Sequence, residues 1–469
     1  MTPVFHASAV APYAEPLWHS CDSSPYYNES HKKLRLFVRD YVENHLKPHA
    51  EEYEKQGFIP PEALKLYVEK GFAITKPTKR EYMGGLSLPA GIDPEDWDVF
   101  HNLVTTDELN RLVVSLILSF PLYRCFRNPL RRNNSLTKDL WVTRVGYTGV
   151  LWGLFGGNTI GCPPILNFGN EAQKLKYSPK VSRGEIRFCL GITEPDAGSD
   201  VANIRTTAKR SGNKYIVNGA KKWITNGIWA HYCTAAVRTG GKGRGGISLL
   251  IIPLAAKGVT RRRMENSGVN ASGSTFIEFD DVEVPAENLI GIENDGFRYI
   301  MSNFNPERLG LASSCVRLSR VCVEDAYNYA ITRETFGQPL IANQIIRAKF
   351  SKLGRLIEPC QAFLEQLAYT VQVAAKTGQE ANVGGMTALL KVMSTRCLEK
   401  VCREAQQVMG GAGYNKSGRG ARIEQISRDV RVYVVGGGSE EILSDLAVRE
   451  EIKNLHDTQR AAAKEGAKI

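Results

Sequence analysis

The segment Gly241-Lys-Gly243-Arg-Gly-Gly246 has the glycine spacing of a dinucleotide loop, in which backbone amides and a helix N-terminus receive a pyrophosphate. That chemistry requires a helix to follow. Here a β-type run precedes the glycines and the apolar run Ile247–Pro253 follows, so a hairpin tip is expected. His45 and His49 lie four apart, a spacing that can hold a metal on a helix, but Pro48 separates them and no third ligand is near. No metal site is expected. Ten cysteines are scattered without a Cys-x-x-Cys pair, which fits a reducing compartment rather than a zinc set. Four other segments gather small, hydroxyl, amide and aromatic residues: Leu190–Asp200 (LGITEPDAGSD), Asn218–Gly227 (NGAKKWITNG), Arg333–Gln338 (RETFGQ) and Gln407–Tyr414 (QVMGGAGY), with Arg428-Asp429 following. Each has a local reading by itself. Thr193 and Ser199 suit turns around Pro195 and Gly198, Trp223 suits a core, Arg333 a helix end, and Gly410-Gly411 a helix C-cap.

Periodicity gives the elements that must position these residues. His31–Gly71 reads as two amphipathic helices: Leu34, Phe37, Val38 and Tyr41 fall at helical spacing, and a Pro-Pro pair restarts the pattern at Leu64 and Tyr67. Between Arg187 and Ile290 the signals change to strands. Tyr215–Val217 is expected to end in an Asn218-Gly219 turn, Ile247–Pro253 is continuously apolar, and Phe276–Val284 alternates apolar with acidic residues. After Gly296 long helices return, marked by Leu311, Cys315, Leu318, Cys322 and Ala326, then by Ile345–Val371 and Met386–Val408. The order is an α+β organisation: an extension over 1–30, a helical domain over 31–185, a central β domain over 186–290, a helical bundle over 291–452 and a tail over 453–469.

The 469 residues are 43% hydrophobic and 23% charged, which excludes wholesale disorder, and no apolar run reaches the roughly 18 residues of a membrane span. Sixty Lys+Arg against 49 Asp+Glu leave a net charge of +11, which invites a phosphate-rich partner. No basic strip interleaved with aromatics is visible, so nucleic acid is not the expected one. Nearly half of the excess lies in an anomalous insert at about 114–147, where Arg124, Arg127, Arg131, Arg132, Lys138 and Arg144 face Asp139 alone. Two readings of it stay open: a functional basic loop, or a short intron translated in frame, with fluent text resuming at Gly149. The terminal Ala467-Lys468-Ile469 is a degenerate relative of the peroxisomal tripeptide; a frayed basic tail on a cytoplasmic protein is the alternative.

In order and in register, the four segments resemble the acyl-CoA dehydrogenase family of flavoproteins, over about His31–Glu451 with the interruption noted. The resemblance implies an N-terminal helical domain, a central β-barrel-like domain and a C-terminal four-helix bundle, assembled as a homotetramer or homodimer. It implies FAD-dependent α,β-dehydrogenation of an acyl-CoA, in fatty-acid β-oxidation or a secondary-metabolite pathway, with electron-transfer flavoprotein or oxygen as electron acceptor. Thr193, Ser199, Trp223 and Thr225 resemble residues lining the isoalloxazine, with Ser199 also on the substrate side and Thr225 beside the hydride-accepting nitrogen. Arg333, Phe336 and Gln344 resemble the segment that reaches a neighbouring subunit's FAD, and Gln407, Gly410 and Gly411 the loop over that dinucleotide. Arg308 resembles an arginine near the CoA arm, and Ser439 a flavin contact.

Desaturating a thioester requires a carboxylate for the α-proton opposite the hydride acceptor. Most family members supply it from the loop after Arg-Asp, in a tyrosine–glutamate–glycine–threonine setting. Here the text is DVRVYVVGGGSEE and Gly437 occupies the position. A minority isovaleryl- and long-chain-type branch places the base earlier, in a pattern ending Glu-Arg-Leu. Asn305-Pro306-Glu307-Arg308-Leu309 matches that pattern, so the resemblance implies Glu307 as base, with Glu440 and Glu441 as fallbacks. Gly436–Gly438 would let backbone approach the thioester, with the Gly437 N–H donating to its carbonyl. A local reading competes for Glu307: Asn305 as N-cap, Pro306 as first helical residue and Glu307 as a first-turn acid. An oxygen-using acyl-CoA oxidase and an inactive nucleic-acid-binding member of the family are the alternatives at the level of function.

Overall fold

A computed structural model describes residues 11–21, 23–74, 79–111, 147–378 and 381–464. Most of the basic insert around Arg131 and the Ala467-Lys468-Ile469 terminus lie outside the described residues. Among the described residues no helix is long and apolar enough to cross a membrane.

The two helices expected over His31–Gly71 are three: α1 (Glu29–Tyr41), α2 (Ala50–Gln56) and α3 (Pro61–Glu69). Pro48 cannot continue the first, which widens into a π-turn at Val42–Leu46 before α2 begins. Next come α4 (Val99–Arg111), α5 (Thr148–Gly161), α6 (Pro163–Phe168) and α7 (Glu171–Ser182). Every fourth residue of α5 is a glycine that something else occupies closely. A Cβ on Gly153 would lie 2.3 Å from Ala271 O, and one on Gly157 2.4 Å from Phe188 O. The helix therefore lies directly on the sheet.

That sheet comprises β1 (Phe188–Gly191), β2 (Thr207–Ser211), β3 (Lys214–Ile224), β4 (Tyr232–Arg238), β5 (Ile247–Pro253), β6 (Val259–Arg263), β7 (Thr275–Pro285) and β8 (Leu289–Ile290). Its order is β6-β7-β3-β2-β4-β5-β8, with β1 added in parallel to β4. β5 reads as one apolar run because both of its faces are covered. Ile247, Leu249 and Ile251 meet α7 and Tyr299, while Leu250 and Ile252 meet Val217, Ile277 and Val284. Arg238 pairs with Ile247, so Gly241–Gly246 is the hairpin tip that its sequence suggests. The Asn218-Gly219 turn is not one. β3 runs straight through it with a bulge: Gly219 has φ +142°, a Cβ there would lie 2.6 Å from Thr206 Cα, and Asn218 exchanges hydrogen bonds of 2.9 Å with Asp281. The chain reverses earlier, between Ser211 and Lys214.

The C-terminal helices are α8 (Gly296–Thr332), α9 (Gln344–Thr377), α10 (Gly384–Met409), α11 (Ala421–Val435) and α12 (Glu440–Lys464), with a two-stranded hairpin, β9 (Glu334–Thr335) and β10 (Gln338–Pro339), between α8 and α9. Cys315, Leu318, Cys322 and Ala326 form the α8 stripe expected from spacing, packed on Leu353, Leu398 and Ile426. The segment from Ala11 to Cys21 is held by buried charge. Glu15 meets Arg111, Arg39 (3.4 Å) and Arg317 (3.2 Å), and Arg320 donates to Tyr13 O at 2.9 Å.

Candidate active site

α8 begins at Gly296, so Asn305, Pro306 and Glu307 lie inside a helix rather than at its start. This removes the first-turn explanation of Glu307. Asn305 caps nothing; its Oδ1 accepts from Arg308 Nη1 at 3.2 Å. Glu307 Oε2 is shielded from solvent and has no hydrogen-bond partner among the described residues. Burial pushes the carboxyl up to about 7, and the cations Arg308 and Lys391 restrain the rise. An unpaired carboxyl tuned toward neutrality has the properties of a general base.

The glycine loop lies against the same turn of α8. A Cβ on Gly437 would be 2.9 Å from Leu311 Cδ1 and 3.7 Å from Arg308 Cγ. Gly437 and Gly438 have φ of +67° and +110°, backbone that glycine adopts without strain. Arg308 Nε donates to Gly437 O at 2.9 Å, and its guanidinium lies over the Phe304 ring. The resemblance puts Arg308 at the CoA arm; in the structure it is buried and clamps this loop. The amides of Gly437 and Gly438 have no acceptor among the described residues. Ser439 O accepts from Leu443 N at 3.0 Å, and hydrogen bonds from the Glu441 amide and the Ser439 hydroxyl hold the Glu441 carboxyl below its usual range. Glu440 is paired with Arg396. Neither fallback carboxylate shares the unpartnered state of Glu307.

Thr193, Trp223 and Thr225 lie where the loop after β1 meets the end of β3. Thr193 O accepts from Lys222 N at 2.9 Å, tying the loop after β1 to the end of β3. Beneath it the buried Glu194 accepts from Lys221 Nζ (2.7 Å), Thr206 N (3.0 Å) and Arg205 N (2.5 Å). Burial would raise this carboxyl, but Lys221 and these donors hold it below its usual range. The hydroxyls of Thr193, Ser199 and Thr225 have no partner among the described residues. Trp223 is 54% exposed on left-handed backbone (φ +66°), so it is not the core aromatic its type suggests. Asn226 fixes the turn from below: it accepts from Gly157 N (2.7 Å) and Arg187 Nη2 (3.1 Å) and donates to Trp152 O and Ser272 O, both at 2.8 Å.

Arg333, Phe336, Gln344, Gln407, Gly410 and Gly411 form a second group at one end of the bundle, all exposed. Phe336 and Gly337 make the β9–β10 turn with φ +53° and +78°, which thrusts a fully exposed phenyl ring outward. Leu340 N donates to Arg333 O at 2.7 Å, and Arg419 Nη1 joins the glycine loop after α10 to Thr332 at 2.9 Å. A Cβ at Gly410 or Gly411 would meet nothing within 4 Å. No hydrogen bond or ion pair joins the two groups among the described residues.

His45 and His49 do not converge with further ligands among the described residues, but His31, Asp98 and His101 do. His31 Nε2 and His101 Nδ1 lie 3.0 and 2.8 Å from Asp98 Oδ1. Their nitrogens are already committed. The Asn28 amide donates to His31 Nδ1 at 3.0 Å, which leaves the ring proton on Nε2, where a metal would have to bind. The set closes the N-termini of α1 and α4.

The sequence matches the acyl-CoA dehydrogenase N-terminal domain over residues 28–132, the middle domain over 189–282 and the C-terminal domain over 294–451. The chain belongs to the acyl-CoA dehydrogenase family. It is 46% identical over 457 residues to acyl-CoA dehydrogenase AFT10-1 of Alternaria alternata, covering 96% of this chain and 98% of that one. Acyl-CoA dehydrogenase apdG of Emericella nidulans is 38% identical over 450 residues, covering 94% and 95%. A crystal structure of a probable acyl-CoA dehydrogenase from Mycobacterium abscessus superposes with a TM-score of 0.76 at 31% identity, over 90% of this chain and 99% of that one. The protein is an FAD-dependent oxidoreductase of this family. Its residues fit the cofactor. Unpartnered hydroxyls at Thr193, Ser199 and Thr225 offer hydrogen bonds to a flavin edge, and Gly410-Gly411 leaves open space for a dinucleotide.

Sequence reasoning missed three features of this acyl-CoA dehydrogenase site. Lys391 looks like helix surface, although its place within Met386–Val392, among apolar residues, is a signal of burial. Asn226 lies within the Asn218–Gly227 segment, but its type there does not reveal that it is a buried anchor. The glycine spacing of α5 is visible, but what it touches is not.

Proposed function

We propose that Glu307 takes the α-proton of an acyl-CoA thioester, which the protein desaturates between Cα and Cβ to the 2-enoyl-CoA. One observation carries this reading: the unpartnered Glu307 carboxylate lies on the helical turn that Gly437, with no side chain, packs against. On the resemblance, the family's two base positions are Glu307 and Gly437, and this chain has a carboxylate only at the first. A base poised near 7 can remove a weakly acidic proton and release it again. The proton leaves only if charge developing on the thioester oxygen is met by donors, and the free Gly437 and Gly438 amides are available for that. FAD, when bound, supplies the hydride acceptor. Thr193, Ser199, Trp223, Thr225 and Ser439 would orient it from the sheet and bundle side. Arg333, Phe336, Gln344, Gln407, Gly410 and Gly411 would hold the dinucleotide of a neighbouring subunit; their exposure and the outward Phe336 support a homo-oligomer.

Anaerobic titration of the FAD-loaded protein with straight, branched and polyunsaturated acyl-CoAs tests the activity. At least one thioester is expected to bleach the flavin and yield a 2-enoyl product; bleaching by none would contradict it. The preferred chain separates β-oxidation from a secondary-metabolite pathway. Peroxide release in air, against turnover only with electron-transfer flavoprotein, identifies the electron acceptor.

A further inference from the structure

Lys391 is 1% exposed and projects from α10 between Leu390 and Val392. Burying an ammonium costs several kcal/mol unless its donors are satisfied. Here they are given to the glycine loop: Lys391 Nζ donates to Val434 O at 2.7 Å and to Gly438 O at 2.8 Å. With Arg308 on Gly437 O, the two cations fix the carbonyls of two successive peptide units, Gly437–Gly438 and Gly438–Ser439. In a trans peptide the N–H lies opposite the C=O. Turning Gly437 O toward Arg308 therefore turns the Gly438 N–H away from it, and that amide has no partner among the described residues. The charges around Glu307 come from Arg308 on its own helix and Lys391 on α10. Lys391 also faces Cys315 of α8 and Glu440 of α12, and Glu440 is paired with Arg396; Tyr433 of α11 faces Cys315.

We propose that Lys391 is a positioning residue for proton abstraction, holding the Gly436–Gly438 loop to α10 while Arg308 holds it to α8, and supplying a positive charge near Glu307. The proposal rests on Glu307 being the base. Lys391 stays out of contact with substrate, since its donors go to backbone, and it acts through the loop amides and the field at the carboxylate.

The test compares FAD-loaded wild type with Lys391→Met, whose side chain fills similar space without charge. FAD content and oligomeric state are expected to be retained. The rising limb of kcat/KM against pH is expected to move up by about half to one unit, because a cation that favours the carboxylate has gone. kcat is expected to fall about ten-fold, with a smaller change in KM. Lys391→Arg should restore the limb while recovering kcat only in part. Should Lys391→Met fail to fold, Lys391→Gln, which keeps a donor without charge, should show the same displaced limb. An unmoved limb with unchanged kcat in either neutral variant overturns the proposal. Full flavin bleaching by Glu307→Gln would instead overturn the base assignment, so the two failures are distinguishable.

Discussion

Buried carboxylates in this protein differ in their partners. Glu194 has three donors and Glu15 has three arginines, while Glu307 Oε2 has none among the described residues. Glu324 Oε1 and Asp429 Oδ2 also lack a hydrogen-bond donor among the described residues. An orphan of this kind is costly, of the order of 1–3 kcal/mol, and is understandable where a proton must come and go. The sign of the pH dependence follows. Catalysis needs the carboxylate, and burial holds the folded carboxyl up to about 7, so the free protein loses activity as pH falls through that value. We expect kcat/KM to rise to a plateau with a midpoint near 7; a limb near 4, the range of an ordinary glutamate, would show that the packing around Glu307 does not desolvate it. Glu307 is legible in the sequence because a five-residue pattern contains it. The role of Arg308 is not, since a sequence does not reveal which acceptor takes a guanidinium. Lys391 is hidden for a different reason: its partners are backbone carbonyls more than forty residues away, and carbonyls leave no compositional trace.

At the scale of elements, periodicity reports faces well and connections poorly. The α8 stripe and the doubly covered β5 follow from apolar spacing alone. Asn218-Gly219 misleads because a glycine with positive φ serves a bulge as readily as a turn, and the choice depends on Thr206 and Asp281, which lie on other segments. The β9–β10 hairpin is the element with the clearest consequence. A ribbon of two short strands is marginal alone, and its tip presents Phe336 to solvent with no covering contact among the described residues. Phe336→Asp is expected to leave the subunit's thermal stability within about 0.5 kcal/mol, since the ring packs on nothing there. The same variant is expected to elute as a smaller species and to lose FAD on gel filtration. Retention of both the wild-type oligomer and the flavin would contradict a cofactor site shared between subunits.

For the whole molecule, the order of helices, sheet and helices is legible because each block has its own period. The docking of residues 11–21 is not, because it depends on ion pairs spread over hundreds of positions. Those pairs also bear on the charge of +11. Arg317, Arg320 and Arg422 are fully buried, engaged by Asp107, Glu358 and Asp325, so part of the cationic content is interior structure and not a face for nucleic acid. The central claim is that one carboxylate, on α8, does the work that the family resemblance would otherwise assign to the loop where Gly437 stands. It is tested most directly by anaerobic addition of a competent acyl-CoA to FAD-loaded Glu307→Gln, followed by flavin absorbance. We expect the variant to bind FAD and to be slower than wild type by about 10^2–10^4-fold, with essentially no bleaching on the time scale of wild-type turnover. Rapid and complete bleaching in that variant would show that another group removes the proton.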